Sequence, residues 1–407
     1  MKSTLKSCYL ALIAASVLTA CNGSDTKTTT AKDNTQVDAT DTSPSIAFVQ
    51  TVAPDFSSSE VVTIDAESKQ VTTGYYLKDK SDYTVTTYKD AVYHIGRYGI
   101  DTIDKYMAES AFTPSWSYST QDNQDTVSRN PYAIAFASDD KAYVLRYGSN
   151  KVWVVNPNAA QAEDFKIGEL DLSDYVENNT SGTPSPASAK VANGKLFVAM
   201  QRLDDTWSPQ TAYVAVFDTS TDTEIETHAS DADSVKGIPL SGVNPLEQSL
   251  FVFDNEVFVT TRDSYASLDL SGSLIEAINT ETFELRQVLK ATDIEDNVSA
   301  NIQSSVIESA DKGYFYATKS VFEPAYHELS ALYEFNPTTG EITQENIAGT
   351  GEEDINFMAF DPKGYLWLSI GSDTTPGIDI IDTKTNSKFT DRLLTDLNPA
   401  AIGFITK

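Results

Sequence analysis

From residue 46 onward the apolar positions alternate in short runs, and no stretch keeps a long stripe of period 3.6. The runs are rich in Val, Ile, Tyr, Phe and Thr, and Gly, Asn, Asp and Pro separate them. That is the pattern of half-buried strands joined by tight turns. One run recurs as an apolar strand that ends in Asp or Asn. The copies end at Asp65, Asp104, Asn156, Asp218, Asn279, Asn336 and Asp382, with spacings of 39, 52, 62, 61, 57 and 46 residues. An Asx side chain there bonds its own backbone two residues on and starts a turn. Residues such as Thr338-Thr339-Gly340 and Thr383-Lys384-Thr385-Asn386 continue it.

A second landmark lies one strand earlier, as in Ala142–Leu145, Leu196–Ala199, Val257–Thr260, Tyr314–Ala317 and Tyr365–Leu368. A third lies before that and often opens with Asn-Pro: Asn130-Pro131, Asn244-Pro245 and Asn398-Pro399. With one strand after the Asx turn, for which Gln70 to Tyr76 is an example, each unit has four strands, A to D. Seven such units predict an all-β chain, a seven-bladed β-propeller of four-stranded antiparallel blades. The last strand, Ala401 to Thr406, reads as an A strand with nothing after it. Ile46 to Tyr76 reads as B, C and D with nothing before. The C-terminal strand is therefore expected to close the blade that the N-terminal strands begin, which removes an open edge.

Before residue 46 the pattern changes. Lys2 and Lys6 precede an apolar stretch, Tyr9 to Leu18, that is too short to span a bilayer. Leu18-Thr19-Ala20-Cys21 has the form of a lipobox, so residues 1–20 are expected to be a lipoprotein signal peptide and Cys21 the lipidated residue. Residues 21–45 read as that cysteine and a polar tether, and 46–407 as the propeller. Cys8 and Cys21 are the only cysteines, which leaves the body no disulfide. The residue after Cys21 is Asn22, not Asp, which by resemblance to the sorting rule of enteric-type bacteria implies the outer membrane, lipid-anchored, with the side left open.

Charge narrows the partners. There are 29 Lys and Arg against 59 Asp and Glu, a formal net charge of −30. A nucleic-acid binder relies on basic side chains, so that class is excluded. Signatures of nucleophilic hydrolases, phosphate loops, zinc helices and dinucleotide folds are missing from the sequence. No catalytic residue and no metal ligand is assigned. Of the three histidines, His94 falls within a B strand, His228 near the end of a D strand, and His327 beside Tyr326 in a long B–C insertion. His327 is the one to test as a ligand. The acidic loops Asp231–Asp233, Asp293–Asn297 and Glu352–Asp354 match no calcium loop.

The arginines stand out because there are only seven. Arg97, Arg146, Arg202 and Arg262 each close a B strand, and Lys319 is expected at the same place in the next blade. Arg129, before Asn130-Pro131, belongs to the same face, where B–C and D–A loops emerge. Tyr98, Tyr147, Trp207, Tyr265 and Tyr326 lie in those loops, and the longest B–C insertions are Leu203–Gln210 and Val321–Leu329. Guanidinium groups bind carboxylate or phosphate bidentately and stack on aromatic faces. The residues named, with His327, therefore form a candidate mouth for an anionic small molecule. The alternative is that each arginine bonds a neighbouring blade's carboxylate and holds the ring together.

The Asn-Pro openings, the strands ending in Ile-Asp and the Thr turns that follow resemble the YVTN/YncE-like seven-bladed propellers. With its lipobox and tether the chain is also similar to bacterial outer-membrane propeller lipoproteins. That resemblance implies a non-enzymatic binder of an anionic ligand, such as a ferric siderophore, haem or a similar iron or cofactor complex. It also implies delivery to a TonB-dependent outer-membrane transporter. The other readings are an envelope interaction scaffold and a lactonase-like hydrolase.

Overall fold

The computed structural model describes residues 44–108, 113–176, 182–228, 235–265, 267, 270–294, 300–323 and 327–406. They form seven antiparallel sheets arranged as the blades of a β-propeller. Blade 1 is the composite predicted from the two ends: its strands are Ser45–Val52, Ser59–Asp65 and Val71–Lys78, with the C-terminal strand Asn398–Thr406 as its innermost member. Ser45 pairs with Thr406 and Val52 with Asn398, so the ring is zipped along the whole strand. The core is divided among the interfaces between blades. Trp367, Ile378 and Ile380 of blade 7 pack on Val62, Ile64 and Ile402 of blade 1.

Blades 2 to 7 run A to D in chain order. Their innermost strands are Tyr83–Tyr88, Pro131–Ser138, Pro186–Ala192, Pro245–Phe253, Asn301–Ser309 and Asp354–Phe360. In blades 4 and 7 the outermost strand is split, into Thr223–Glu224 and Ile238–Pro239 and into Ser387–Lys388 and Leu393–Leu394. His228 thus lies between two strand pieces, beyond the short D strand.

Three expectations change in detail. Six of the seven Asx landmarks do end or directly follow a C strand. Asp104 instead lies inside its strand, Thr102–Met107, where it accepts hydrogen bonds from Ser117 Oγ (2.5 Å) and Lys78 Nζ (3.0 Å). Those partners occupy the carboxylate that elsewhere opens the turn. Lys319 does not close its strand, because strand B of blade 6 continues from Lys312 to Val321. Both ends of the Val321–Leu329 insertion are accordingly strand: Val321 pairs with His327 and Lys319 with Leu329.

Candidate functional site

The seven A strands enclose a channel along the propeller axis, with a volume of about 660 Å³. Six of them slip register near the end where the D–A and B–C loops emerge. Such bulges re-aim side chains. The slip is largest in blade 5. Pro245 faces Thr261 and Leu250 faces Val259, so five steps on strand A match two on strand B. The extra residues, Leu246 to Ser249, are held by both neighbours. Ser188 Oγ of blade 4 donates to the Glu247 carbonyl (3.0 Å), and Ser304 Oγ of blade 6 to that of Gln248 (3.1 Å).

This bulge carries two bridges over the axis. Arg97, which follows strand B of blade 2, donates from Nη1 to Glu247 Oε2 at 2.5 Å and from Nε to Asp82 at 2.7 Å. Its guanidinium lies 4.9 Å from the Tyr132 ring centroid in blade 3. Blades 2 and 5 have at least two blades between them in either direction, so their direct ion pair crosses the channel. Gln248 Nε2 also donates to the Asn356 carbonyl of blade 7 (3.0 Å), past blade 6. Burial opposes the Arg97 charge, but Glu247 and Asp82 outweigh it and hold the pKa above its ordinary value.

From that latch the channel runs to the A–B turns, where Asp90, Asp361 and Pro362 line it. Phe251, Phe357, Phe360 and Phe404 supply apolar wall between the ends. Lys190 of blade 4 also lines the channel, two residues along the strand from Ser188 and so on the same face. It is partly buried, and among the described residues it makes no ion pair or side-chain hydrogen bond. The result is an amphipathic pouch with an uncompensated ammonium.

The predicted arginines do not gather as a ring at the mouth. Arg97 alone reaches the axis. Arg129 Nε pairs with Asp125 (2.6 Å). Arg146 is 2% exposed, is ion-paired with the same carboxylate and lies 4.5 Å over Trp153; burial lowers its pKa. Arg202, equally buried, donates to the carbonyls of Tyr175 (2.9 Å) and Thr211 (2.6 Å). Tyr147 bonds Gln201 at 2.6 Å, and burial pushes its phenol up to about 12. Tyr98, Trp207 and Tyr265 are exposed on their loops, as are Lys319 and His327 on the long blade 6 hairpin. Tyr326 and Cys21 lie outside the described residues.

Arg262 is the exception. Its Nε is buried without a hydrogen-bond partner, and it makes no ion pair among the described residues. It acts electrostatically on Tyr316, as do Asp354 and Glu328. Tyr316 Oη donates to the same Asn356 carbonyl that Gln248 uses (3.2 Å). Asp354 and Asn356 sit over Gly371, where a Cβ would come within 2.6 Å of Asp354 Oδ2 and 2.8 Å of Asn356 Nδ2. Burial, reinforced by Glu328, raises the Asp354 carboxyl to about 6. A raised carboxyl within electrostatic reach of the Tyr316 phenol is the kind of group found at acid–base sites. Among the described residues no group of three or more His, Cys, Asp or Glu side chains assembles as metal ligands.

Sequence reasoning did not single out Lys190, Glu247, Gln248 or Asn356, and Asp354 figured only as the end of an acidic loop. One signal was present for the bulge. Glu247-Gln248 puts a polar pair where an A strand needs apolar alternation.

No family model matches the sequence, and no curated protein matches it. Solved structures do resemble its fold. A candidate 6-phosphogluconolactonase of Bacteroides fragilis aligns with a TM-score of 0.59 at 11% identity, over 90% of this chain and 99% of that one. A candidate 6-phosphogluconolactonase of Bacteroides uniformis gives 0.56 at 12%, over 89% and 99%. The periplasmic gluconolactonase of Pseudomonas aeruginosa gives 0.52 at 12%, again over 89% and 99%. At such identities the likeness is one of architecture: this chain shares the seven-bladed propeller fold of gluconolactonase-like proteins.

Proposed function

We propose that the protein binds a small anionic molecule with an apolar or aromatic body, held in the central channel with Lys190 as its counter-ion. The observation that carries this is the unpaired Lys190 ammonium in a channel of about 660 Å³ walled partly by phenylalanines. That volume is typical of small-molecule sites, and such sites pair an apolar wall with few polar anchors. The Arg97–Glu247 latch supports entry from the A–B end. With Cys21 lipidated, as the sequence leads one to expect, the propeller would hold its ligand at the outer membrane for a TonB-dependent transporter. Ferric siderophores and haem belong to the anionic class and are included in the test.

A second reading is a lactonase-like hydrolase at the other end of the channel. It is favoured by the raised Asp354 carboxyl within electrostatic reach of Tyr316, and the architectural neighbours agree with it. Asp354 would then act as the proton acceptor for the attacking water.

One experiment separates the two. The purified protein is titrated calorimetrically with aromatic carboxylates, a ferric catecholate complex and haem, and is assayed for δ-lactone hydrolysis. The binding reading expects saturable uptake that Lys190→Met weakens at least tenfold while Asp354→Asn leaves it unchanged. Uptake indifferent to Lys190→Met overturns it. Lactone turnover abolished by Asp354→Asn establishes the second reading in its place.

A further inference from the structure

Ten large apolar side chains stand exposed among the described residues, and eight of them are on the face formed by B–C and D–A loops. Ile167 and Phe389 alone lie toward the other face. Five of the eight are aromatic side chains on B–C connections of different blades: Phe56 of blade 1 (73% exposed), Tyr98 of blade 2 (69%), Trp207 of blade 4 (63%), Tyr265 of blade 5 (51%) and Phe322 of blade 6 (70%). Exposed aromatic groups concentrated on one face mark an interaction surface.

Phe56 and Trp207 are built alike. Each has a positive φ, +58° and +63°, a region that favours glycine. Each sits in a loop tied by a neighbouring aspartate. Asp55 Oδ1 accepts from the amide (3.0 Å) and hydroxyl (2.6 Å) of Ser57. Asp204 Oδ1 accepts from the amides of Thr206 (2.8 Å) and Ser208 (3.0 Å). The loops are therefore closed on themselves, and both rings project into solvent. The fold gains little packing from either ring, yet it accepts an unfavourable backbone conformation to display them. Neither Asp55 nor Asp204 meets a cation among the described residues, and their local donors hold both carboxyls below the usual range. Tyr98 and Tyr265 also stand near carboxylates, although Asp82 already pairs with Arg97. Asp82 accepts from the Tyr98 amide (3.0 Å), and Asp263 is two residues before Tyr265.

We infer that this face docks a protein partner through a cationic segment whose Lys or Arg side chains alternate with apolar ones. Charge complementarity selects that occupant. Rings take guanidinium groups or aliphatic side chains, the adjacent carboxylates take the charge, and a net charge of −30 repels an acidic partner. Preformed loops lower the cost of association, because little is left to order on binding. The surface uses neither Lys190 nor the phenylalanine wall of the channel.

The full chain is titrated with a fluorescein-labelled twelve-residue peptide of alternating Arg and Leu, and with its Glu-Leu counterpart, by fluorescence anisotropy. The expected result is binding of the Arg-Leu peptide alone, weakened at least tenfold in a Phe56→Gly, Trp207→Gly double variant. That variant keeps every charge, so a merely non-specific attraction to an acidic protein would persist in it. Because glycine suits both φ values, its melting temperature should equal or exceed the parent's. No binding by the parent, equal binding of the Glu-Leu peptide, undiminished binding by the variant, or a melting temperature that falls together with binding each overturns the inference.

Discussion

His94 and Asp354 have their protonation set by burial, and in opposite directions. His94 is fully buried, stacks on Tyr83 at 4.6 Å and bonds Gln50 Oε1 through Nε2 at 2.8 Å. Burial, helped by Lys78, pushes its pKa down to about 3 from 6.5. In acid the unfolded chain therefore takes up a proton at this site before the folded one does, and stability is lost as pH falls through that interval. Asp354 is raised from 3.8 to about 6, so here the folded state takes the proton first and stability is gained as pH falls from about 6 to 3.8. Each contributes up to about 1.4 kcal/mol per pH unit. Between pH 6 and 4 the two contributions oppose one another. Asp354→Asn should steepen the acid loss relative to the parent, by roughly 2–3 kcal/mol across that window. His94→Gln should shift it by a similar amount the other way. Urea unfolding at pH 7, 6, 5 and 4 measures both, and curves that stay parallel to the parent's for both variants would contradict the assignment.

At the scale of elements, the C-terminal strand has the largest mechanical role. It is the innermost strand of blade 1, pairs along the full length of Ser45–Val52, and buries Ala401, Ile402 and Ile405. Deleting residues 401–407 removes two buried isoleucines worth about 2 kcal/mol each and opens a strand edge beside the channel. Calorimetry should show a loss of at least about 4 kcal/mol and a broadened transition. An unchanged, equally sharp melt would mean that the ring does not depend on this closure. The closure was legible in the sequence because strand period, Asx turns and Asn-Pro openings are local signals, and a missing A strand at one end matched a spare one at the other. The site was much less legible. Arg97 was visible, but Glu247, its partner across the axis, is 150 residues away and reaches it only through a three-residue slip in blade 5. Arg129 and Arg146 were visible too, but not that both would converge on Asp125. Lys190 looked like any strand lysine, since nothing local shows that its neighbours leave it without a carboxylate.

The whole molecule acts through its field. An excess of 30 negative charges slows the approach of an anion to the channel and speeds that of a cation to the loop face. Salt screens both effects, with a Debye length of about 10 Å at 0.1 M and about 30 Å at 0.01 M. The two proposed activities should therefore answer ionic strength with opposite signs. Stopped-flow association of an aromatic carboxylate with the channel should quicken severalfold between 10 and 200 mM NaCl, because long-range repulsion fades while Lys190 sits within the walls. Association of the Arg-Leu peptide should slow over the same range. A carboxylate whose association slows with salt would be meeting a locally cationic surface first, which would contradict entry at the A–B turns, where Asp90 and Asp361 line the channel. The sign of one slope thus tests which end of the channel is the door, without any mutation and at the scale where the protein's charge is decided.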